Sequence, residues 1–130
     1  MTVSSRKDIE ILKNIFGFDK YLPHQEKIVL SILDNKNVLT VMPTGSGKSL
    51  LYQLPALLFE GLTLVISPLI SLMKDQVDEL NQLGIEARSL NSSHSLAENN
   101  NTINLIKNNK LKILYIAPER LLQPETFNIF

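Results

Sequence analysis

The chain has 130 residues, 44% of them hydrophobic, which is enough for one packed core; one domain, or part of one, is the ceiling. Its 13 Lys and Arg balance its 13 Asp and Glu, so a nucleic-acid contact has to come from a local cluster rather than from overall basic charge. The lack of cysteine excludes disulfides, thiolate zinc sites and thiol catalysis.

Residues 1–5 are polar and lead into mixed charges without the pattern of a signal peptide, and no apolar run is long enough to cross a bilayer. A soluble, cytoplasmic protein with no membrane partner is expected. Ile9, Leu12, Ile15 and Phe16 recur at helical spacing and stop at Gly17, which predicts a short first helix. Ile28, Val29, Ile32 and Leu33 repeat the period after Pro23, a residue suited to a first turn, and residues 34–37 read as a turn. Residues 38–42 form a short apolar, β-branched run bounded by Pro43, which predicts a buried strand. A helix is expected over 48–59, a strand over 62–67, and a helix carrying Leu69, Leu72, Met73, Gln76, Val77 and Leu80 that ends near Gly84. A weaker strand over 86–90, a helix around 103–107 and a strand over 113–117, stopped by Pro118, complete the alternation. Strand alternating with helix calls for an α/β fold: a parallel sheet with helices on both faces, preceded by two short helices. The asparagines at 99–101, 108 and 109 read as a solvated helix face and loop. His24 and His94 have no metal-ligand spacing, and Met42 and Met73 fall in apolar runs suited to a core.

The segment Pro43-Thr-Gly-Ser-Gly-Lys-Ser49 stands between the predicted strand and helix, the context that a P-loop requires. Triphosphate oxygens need several donors converging in a small space, and Gly45 and Gly47 let backbone N–H groups approach with no Cβ in the way. A helix starting near Lys48 adds its positive end. Lys48 can reach the β and γ phosphates as a point charge, and the Ser49 hydroxyl can join the oxygen shell of Mg2+, while Thr44 and Ser46 shape the loop. ATP with Mg2+ is the expected cofactor. The general pattern opens with glycine where this chain has Met42, which argues against kinase-like and GTPase-like loops.

Met42-Pro-Thr-Gly-Ser-Gly-Lys-Ser49 resembles motif I of superfamily 2 helicases, whose loop commonly lacks that first glycine. Val65-Ile-Ser-Pro-Leu-Ile-Ser-Leu-Met-Lys-Asp-Gln76 resembles motif Ia of the RecQ branch, and Tyr115-Ile-Ala-Pro-Glu-Arg120 is similar to its motif Ib. Phe16-Gly-Phe, Tyr21 and Gln25 resemble the adenine-contacting motif 0. The likeness spans residues 12–122 and implies the first, RecA-like motor domain of a RecQ-type ATP-dependent DNA helicase. On that footing, residues 1–36 are a helical segment with the adenine motif, and 37–130 are a partial P-loop NTPase motor domain. The resemblance implies that Phe18 stacks on adenine and that the Gln25 amide meets its hydrogen-bonding edge, as their chemistry allows. From the residues alone, Phe18 would be a core aromatic and Gln25 a solvated amide. The family usually has arginine where this chain has Leu22, which bears on nucleotide affinity and base preference.

Ser67 and Pro68 end a strand and precede a helix, so their backbone, the Ser71 hydroxyl and Lys74 can hold DNA phosphates. The resemblance agrees, and it puts Pro118, Glu119 and Arg120 near the same DNA strand. Asn91 and Ser92, after the third strand, can also line the DNA path. The likeness further implies 3′ to 5′ translocation on single-stranded or forked DNA, serving recombination and repair.

A helicase motor also needs an acidic residue for the metal's water shell and a carboxylate for the attacking water, which the family supplies in an Asp-Glu-Ala-His motif. That motif does not occur in the 130 residues. The chain is therefore expected to be an amino-terminal fragment that binds nucleotide but does not unwind DNA, because hydrolysis also needs a cleft closed by a second motor domain. An exposed sheet edge is expected as well. Two alternatives remain: a nonhydrolysing nucleotide-binding or interaction module, which the missing acidic motif would suit, and another superfamily 2 motor such as an RNA helicase, which the residues of motif Ia oppose.

Overall fold

The structure is a computed structural model that describes residues 6–43, 47–91 and 93–130. Its contacts divide the chain into two compact units, Met1–Glu60 and Gly61–Phe130. The boundary at 36/37 drawn from the sequence concerns the motor domain of the family and falls inside the first unit.

The first unit is helical among its described residues: α1 (Lys7–Asn14), α2 (Gln25–Leu33) and α3 (Leu50–Leu58). Asp8 and Glu10 in the first turn of α1 and Lys13 in its last complement the helix dipole, and Gly17 (φ 77°) follows as the chain leaves the helix. Leu12, Val29, Leu50, Leu51 and Leu54 make the core, with Ile11, Phe16, Tyr21, Ile28, Leu33, Met42 and Leu58 packed around it. Each helix contributes leucine or valine at helical spacing, so the unit closes by apolar stripes. Pro55 sits inside α3 and cannot donate to the carbonyl one turn back; the helix continues only to Leu58.

The second unit contains β1 (Thr63–Ile66), α4 (Ile70–Gln82), β2 (Ala87–Leu90), α5 (Leu96–Lys107), β3 (Ile113–Ile116) and two short helices, α6 (Pro118–Leu121) and α7 (Pro124–Phe127). The sheet is parallel with order β1-β3-β2, and its register aligns Ile66 and Leu90 with Ile116. All four residues of β3 are buried. A central parallel strand is covered on both faces, and the alternation of side chains shows by what. Leu114 and Ile116 pack with Leu90, Leu111 and, from α5, Ile103 and Ile106. Tyr115, on the opposite face, donates its hydroxyl to Gln76 of α4 at 3.3 Å. The parallel sheet with helices on both faces is thus present, in three strands.

Two expectations are corrected. Residues 38–42 do not form a strand: they join no ladder among the described residues, and Leu39 and Val41 are each 92% exposed while Met42 packs on the helical core. β-branched composition describes a segment able to fit a pleated sheet, but a strand also needs a neighbour to accept and donate its backbone hydrogen bonds, and the sheet of this structure lies in the other unit. The asparagine run is not uniformly solvated either. Asn99 is 7% exposed and donates to the Asn91 carbonyl at 3.4 Å, tying α5 to the end of β2.

Candidate functional site

In the first unit the residues between α1 and α2 form a loop held from both sides. Asp8, fully buried, accepts two hydrogen bonds from the Arg6 guanidinium at 2.9 and 3.0 Å and one from the Tyr21 hydroxyl at 2.7 Å. Burial alone would raise the Asp8 pKa, but the hydrogen bonds from Arg6 and Tyr21 outweigh it and hold the carboxyl below its ordinary value. The same contacts have the reciprocal sign on their donors: burial and then the Asp8 bond raise the Tyr21 pKa, and the Asp8 bond raises that of Arg6. Asp8 was not legible as a site residue, since one acidic residue in a first turn reads as a dipole partner.

Gln25 opens α2 behind His24, whose φ of 74° is left-handed and uncommon for a residue with a Cβ. That bend folds the Gln25 side chain back into the loop: its Oε1 accepts from the Leu22 N–H at 2.7 Å and its Nε2 donates to the Gly47 carbonyl at 3.1 Å. Gln25 is 3% exposed, whereas Phe18 is 53% exposed. The core-aromatic and solvated-amide reading of these two residues is thereby reversed. Among the described residues each end of the Gln25 amide thus has one partner, with a second N–H on Nε2 and a second lone pair on Oε1. Leu22 is 53% exposed beside Gly47. Gly47 has φ 80°, and a methyl group there would collide with the Gln25 amide and meet Leu22 Cδ1 at 3.3 Å. Glycine is thus required at this position both by backbone conformation and by space. Lys48 is exposed and Ser49 immediately precedes α3 in helical conformation, with φ −60° and ψ −38°. Thr44, Gly45 and Ser46 lie outside the described residues.

In the second unit, Ser67, Asn91 and Ala117 follow the three strands at the same, carboxyl end of the sheet, as the register requires. Ligands of open parallel sheets bind at this end. The Ser67 hydroxyl accepts from the Leu69 N–H at 3.2 Å, and α4 starts behind Leu69 with no side-chain cap. Pro68 and Ser71 are exposed. Lys74, 80% exposed in its side chain, pairs with Asp78 at 3.0 Å, and that hydrogen bond raises its pKa. Glu119 is exposed, Pro118 and Arg120 are half-buried, and the Arg120 Nε is buried with no partner among the described residues.

Asn91 is 2% exposed, and its side chain serves the local turn: Oδ1 accepts from the Ser93 N–H at 2.9 Å and from the Ser93 hydroxyl, while Nδ2 donates to Ser89 at 3.4 Å. Ser92 lies outside the described residues. The turn is fastened further by His94, which bonds Ser89 through Nε2 at 2.9 Å and Glu98 through Nδ1 at 2.8 Å. A carboxylate only accepts, so Nδ1 donates to it, and in the neutral tautomer this leaves Nε2 as the acceptor of the Ser89 proton. Ser95 caps α5 by accepting from the Glu98 N–H at 3.2 Å. The bonds from His94 and then Ser95 hold the Glu98 carboxyl below its ordinary pKa. Sequence spacing shows the Ser95–Glu98 capping box but not the role of His94, which depends on the side-chain direction of Ser89.

Among the described residues no cluster of His, Asp or Glu could hold a metal, and no helix is long and apolar enough to cross a membrane.

Residues 22–128 match the DEAD/DEAH box helicase family. The chain is 48% identical over 121 residues to the ATP-dependent DNA helicase RecQ of Haemophilus influenzae, covering 93% of this chain and 20% of the relative. It is 46% identical over 120 residues to RecQ of Bacillus subtilis, covering 92% and 20%, and 46% identical over 125 residues to the ATP-dependent DNA helicase Q1 of Rattus norvegicus, covering 95% and 20%. It spans about a fifth of the length of these curated relatives. The fold is that of a hypothetical ATP-dependent RNA helicase from Sulfolobus tokodaii, with a TM-score of 0.74 at 23% identity over 96% of this chain and 38% of the other. The DUF1998 helicase MrfA, solved bound to DNA and AMPPNP, superposes with a TM-score of 0.71 at 25% identity, covering 93% of this chain and 18% of that one. With the partial RecA-like fold and the motifs in order, this chain belongs to the DEAD/DEAH box helicase family, and its sequence is similar to the RecQ helicases within it.

Proposed function

We propose that the chain carries the ATP-binding elements and part of the DNA path of a RecQ-type DNA helicase motor, which moves 3′ to 5′ along single-stranded or forked DNA in recombination and repair within the cytoplasm. The observation that carries the nucleotide half is the hydrogen bond from Gln25 to the Gly47 carbonyl, which joins the adenine motif to the phosphate loop inside one compact unit. Gly47 has a left-handed φ of 80° and the Gln25 amide packed where a Cβ would stand, so the loop there is built around the lack of a side chain. Gly45, Gly47 and the flanking Thr44 and Ser46 would cradle the phosphates, Lys48 would neutralise them, and Ser49 would ligate Mg2+. The metal supplies charge neutralisation of the phosphate oxygens when bound. Phe18 is exposed enough to stack on adenine, and the second N–H and second lone pair of the Gln25 amide match its N7 and amino group.

DNA phosphates would be held along the carboxyl end of the sheet by Ser67, Pro68, Ser71 and Lys74, by Pro118, Glu119 and Arg120, and by the turn of Asn91 and Ser92. The start of α4, whose first N–H groups have no side-chain cap, supports this. Asn91 would act by shaping its turn, since its side chain is buried. Residues 37–130 would be the motor portion and residues 1–36 its adenine-contacting preface. With no Asp-Glu-Ala-His sequence in the 130 residues, this chain would bind ATP without turning it over, while the longer protein hydrolyses ATP to separate strands.

Binding of a fluorescent ATP analogue with Mg2+ tests this reading. The folded chain should bind, Lys48→Ala should weaken binding about tenfold or more, and neither should release phosphate when single-stranded DNA is added. Binding that ignores Lys48 would remove the phosphate-site assignment, and DNA-stimulated turnover would show that the 130 residues suffice for hydrolysis.

A further inference from the structure

One imidazole ties the turn between β2 and α5 to both of its neighbours. His94 meets Ser89 of β2 through Nε2 at 2.9 Å and Glu98 of α5 through Nδ1 at 2.8 Å. Ser89 is 8% exposed and also accepts from Asn91 Nδ2 at 3.4 Å, so the ring, the strand end and the turn form one network. Two charged groups line the cavity of about 190 Å3 beside the ring, Arg88 of β2 and Glu98 of α5, while α4 contributes Val77. Arg88 itself is turned to the Ala87 carbonyl at 2.7 Å and to Glu86 at 3.4 Å.

A hydroxyl has a single proton and a carboxylate none, which fixes what the ring must do. With Nδ1 donating to Glu98, only a neutral ring has a lone pair at Nε2 for the Ser89 proton. A protonated ring would donate from both nitrogens, and Ser89 would have to accept from the ring and from Asn91 while its own proton found a new partner. In a site nearly closed to water an orphaned hydroxyl proton costs free energy, so protonation favours a ring drawn off the strand and toward Glu98.

We propose that His94 is a positioning residue for DNA: its neutral ring latches the turn between β2 and α5 to the end of the sheet, in the shape that meets the DNA backbone, and protonation opens the latch. This rests on the DNA path given above. A turn held in place before binding loses less freedom when DNA arrives, which is how a side chain that touches no phosphate raises affinity. Acid therefore weakens DNA binding through His94. A ring that met phosphates directly would give the opposite sign, since its added positive charge would tighten binding as pH falls.

The test is binding of a fluorescent oligothymidylate to the folded chain at low salt, from about pH 7.5 to about pH 5.5, the span in which histidine side chains change charge. His94→Ala should weaken binding about threefold to tenfold at the upper pH, the scale of one or two lost hydrogen bonds. His94→Gln, whose amide has both an acceptor and a donor, should recover part of that loss. Relative to His94→Gln, the parent should lose about twofold to fivefold in affinity on acidification. His24, the chain's other histidine, is present in every variant, so the difference belongs to His94. Circular dichroism at each pH checks folding, and if His94→Ala does not fold, the pH profiles of the parent and His94→Gln decide alone. Tightening of the parent relative to His94→Gln in acid overturns the inference, because the ring would then act by its charge. Identical pH profiles overturn it as well. If Lys74→Ala weakens binding while the His94 variants match the parent, only this inference falls. If the parent chain shows no Lys74-dependent binding, the DNA reading falls and takes this inference with it.

Discussion

Residues 38–42, Val-Leu-Thr-Val-Met, and residues 113–116, Ile-Leu-Tyr-Ile, are nearly interchangeable in composition, yet their fates differ. The second segment is the central strand of a parallel sheet and is at most 2% exposed along its length; in the first, Leu39 and Val41 are 92% exposed. Strand propensity states what a segment can do beside a partner, and only pairing and cover turn it into structure. The two units also hold themselves differently. The sheet unit relies on ladders and apolar cover, and the helical unit adds polar pins, Asp8 and Gln25, which fix the loop of the candidate nucleotide site.

The largest effect tests the difference between the two segments. Leu114→Ala should cost about 2–5 kcal/mol, because Leu114 is fully buried and its cavity can collapse only in part. Leu39→Ala should stay within about 0.5 kcal/mol, as a surface substitution does. Urea unfolding followed by amide hydrogen exchange reads both and localises each to its unit. Equal costs would mean that Leu39 is covered in solution, which would erase the contrast.

The polar pins come next. Asp8→Asn removes the acceptor charge facing Arg6 and Tyr21 and should cost the helical unit about 1–3 kcal/mol at neutral pH. The sign with pH follows from the direction of the shift: the folded carboxyl titrates below the ordinary value of 3.8. Its contribution is therefore whole above about pH 3.8 and is lost as pH falls through the lower folded value. A stability profile of the parent should show this acid loss, and Asp8→Asn should lack that part of it. A variant with the same acid profile as the parent would assign the loss to other carboxylates.

The second pin is tested at its partner. Gly47→Ala should cost about 1–2 kcal/mol, through a strained φ of 80° and a methyl group forced against the Gln25 amide. The informative readout is nucleotide affinity measured in the folded variant. If the bridge organises the site, affinity should fall by more than the stability loss alone predicts from the unfolded fraction. If affinity falls only with the folded fraction, the bridge belongs to the fold and not to the site.

Most of the sheet unit was legible in the sequence, and the reason is local: each strand or helix there carries its own period and its own stop, as in Ile113 to Pro118. Residues 38–42 carried an equally clear apolar, β-branched run with its own stop at Pro43 and still misled, because pairing is a long-range fact that no window of sequence contains. The short helices α6 and α7 went unread because four residues are too few to show a period. At the candidate site, the phosphate loop was legible as a motif and Gln25 as a resemblance. The exchange of burial between Phe18 and Gln25 was not, since it follows from the left-handed backbone of His24, a residue whose type does not demand that conformation. Asp8 and His94 were missed for a related reason: their partners, Tyr21 and Ser89, are brought to them by the folded chain.

The smallest effect concerns the carboxyl end of the sheet, where polar pairing competes with the proposed function instead of supporting it. Lys74 is the exposed cation of motif Ia, and in this structure its ammonium faces Asp78 one turn away at 3.0 Å. An exposed pair of this kind adds little to stability, so Asp78→Asn should leave unfolding nearly unchanged. On the proposed DNA path its effect would belong to DNA: a phosphate would replace Asp78 as the partner of Lys74 and would approach against the charge of that carboxylate. Removing the charge should tighten binding of a fluorescent oligothymidylate about twofold at low salt, and the gain should fade as salt screens the site. The double variant with Lys74→Ala should show no such gain, because the competitor would then have nothing to release. A gain that survives without Lys74 would assign the effect to net charge alone and take Lys74 out of the proposed DNA path.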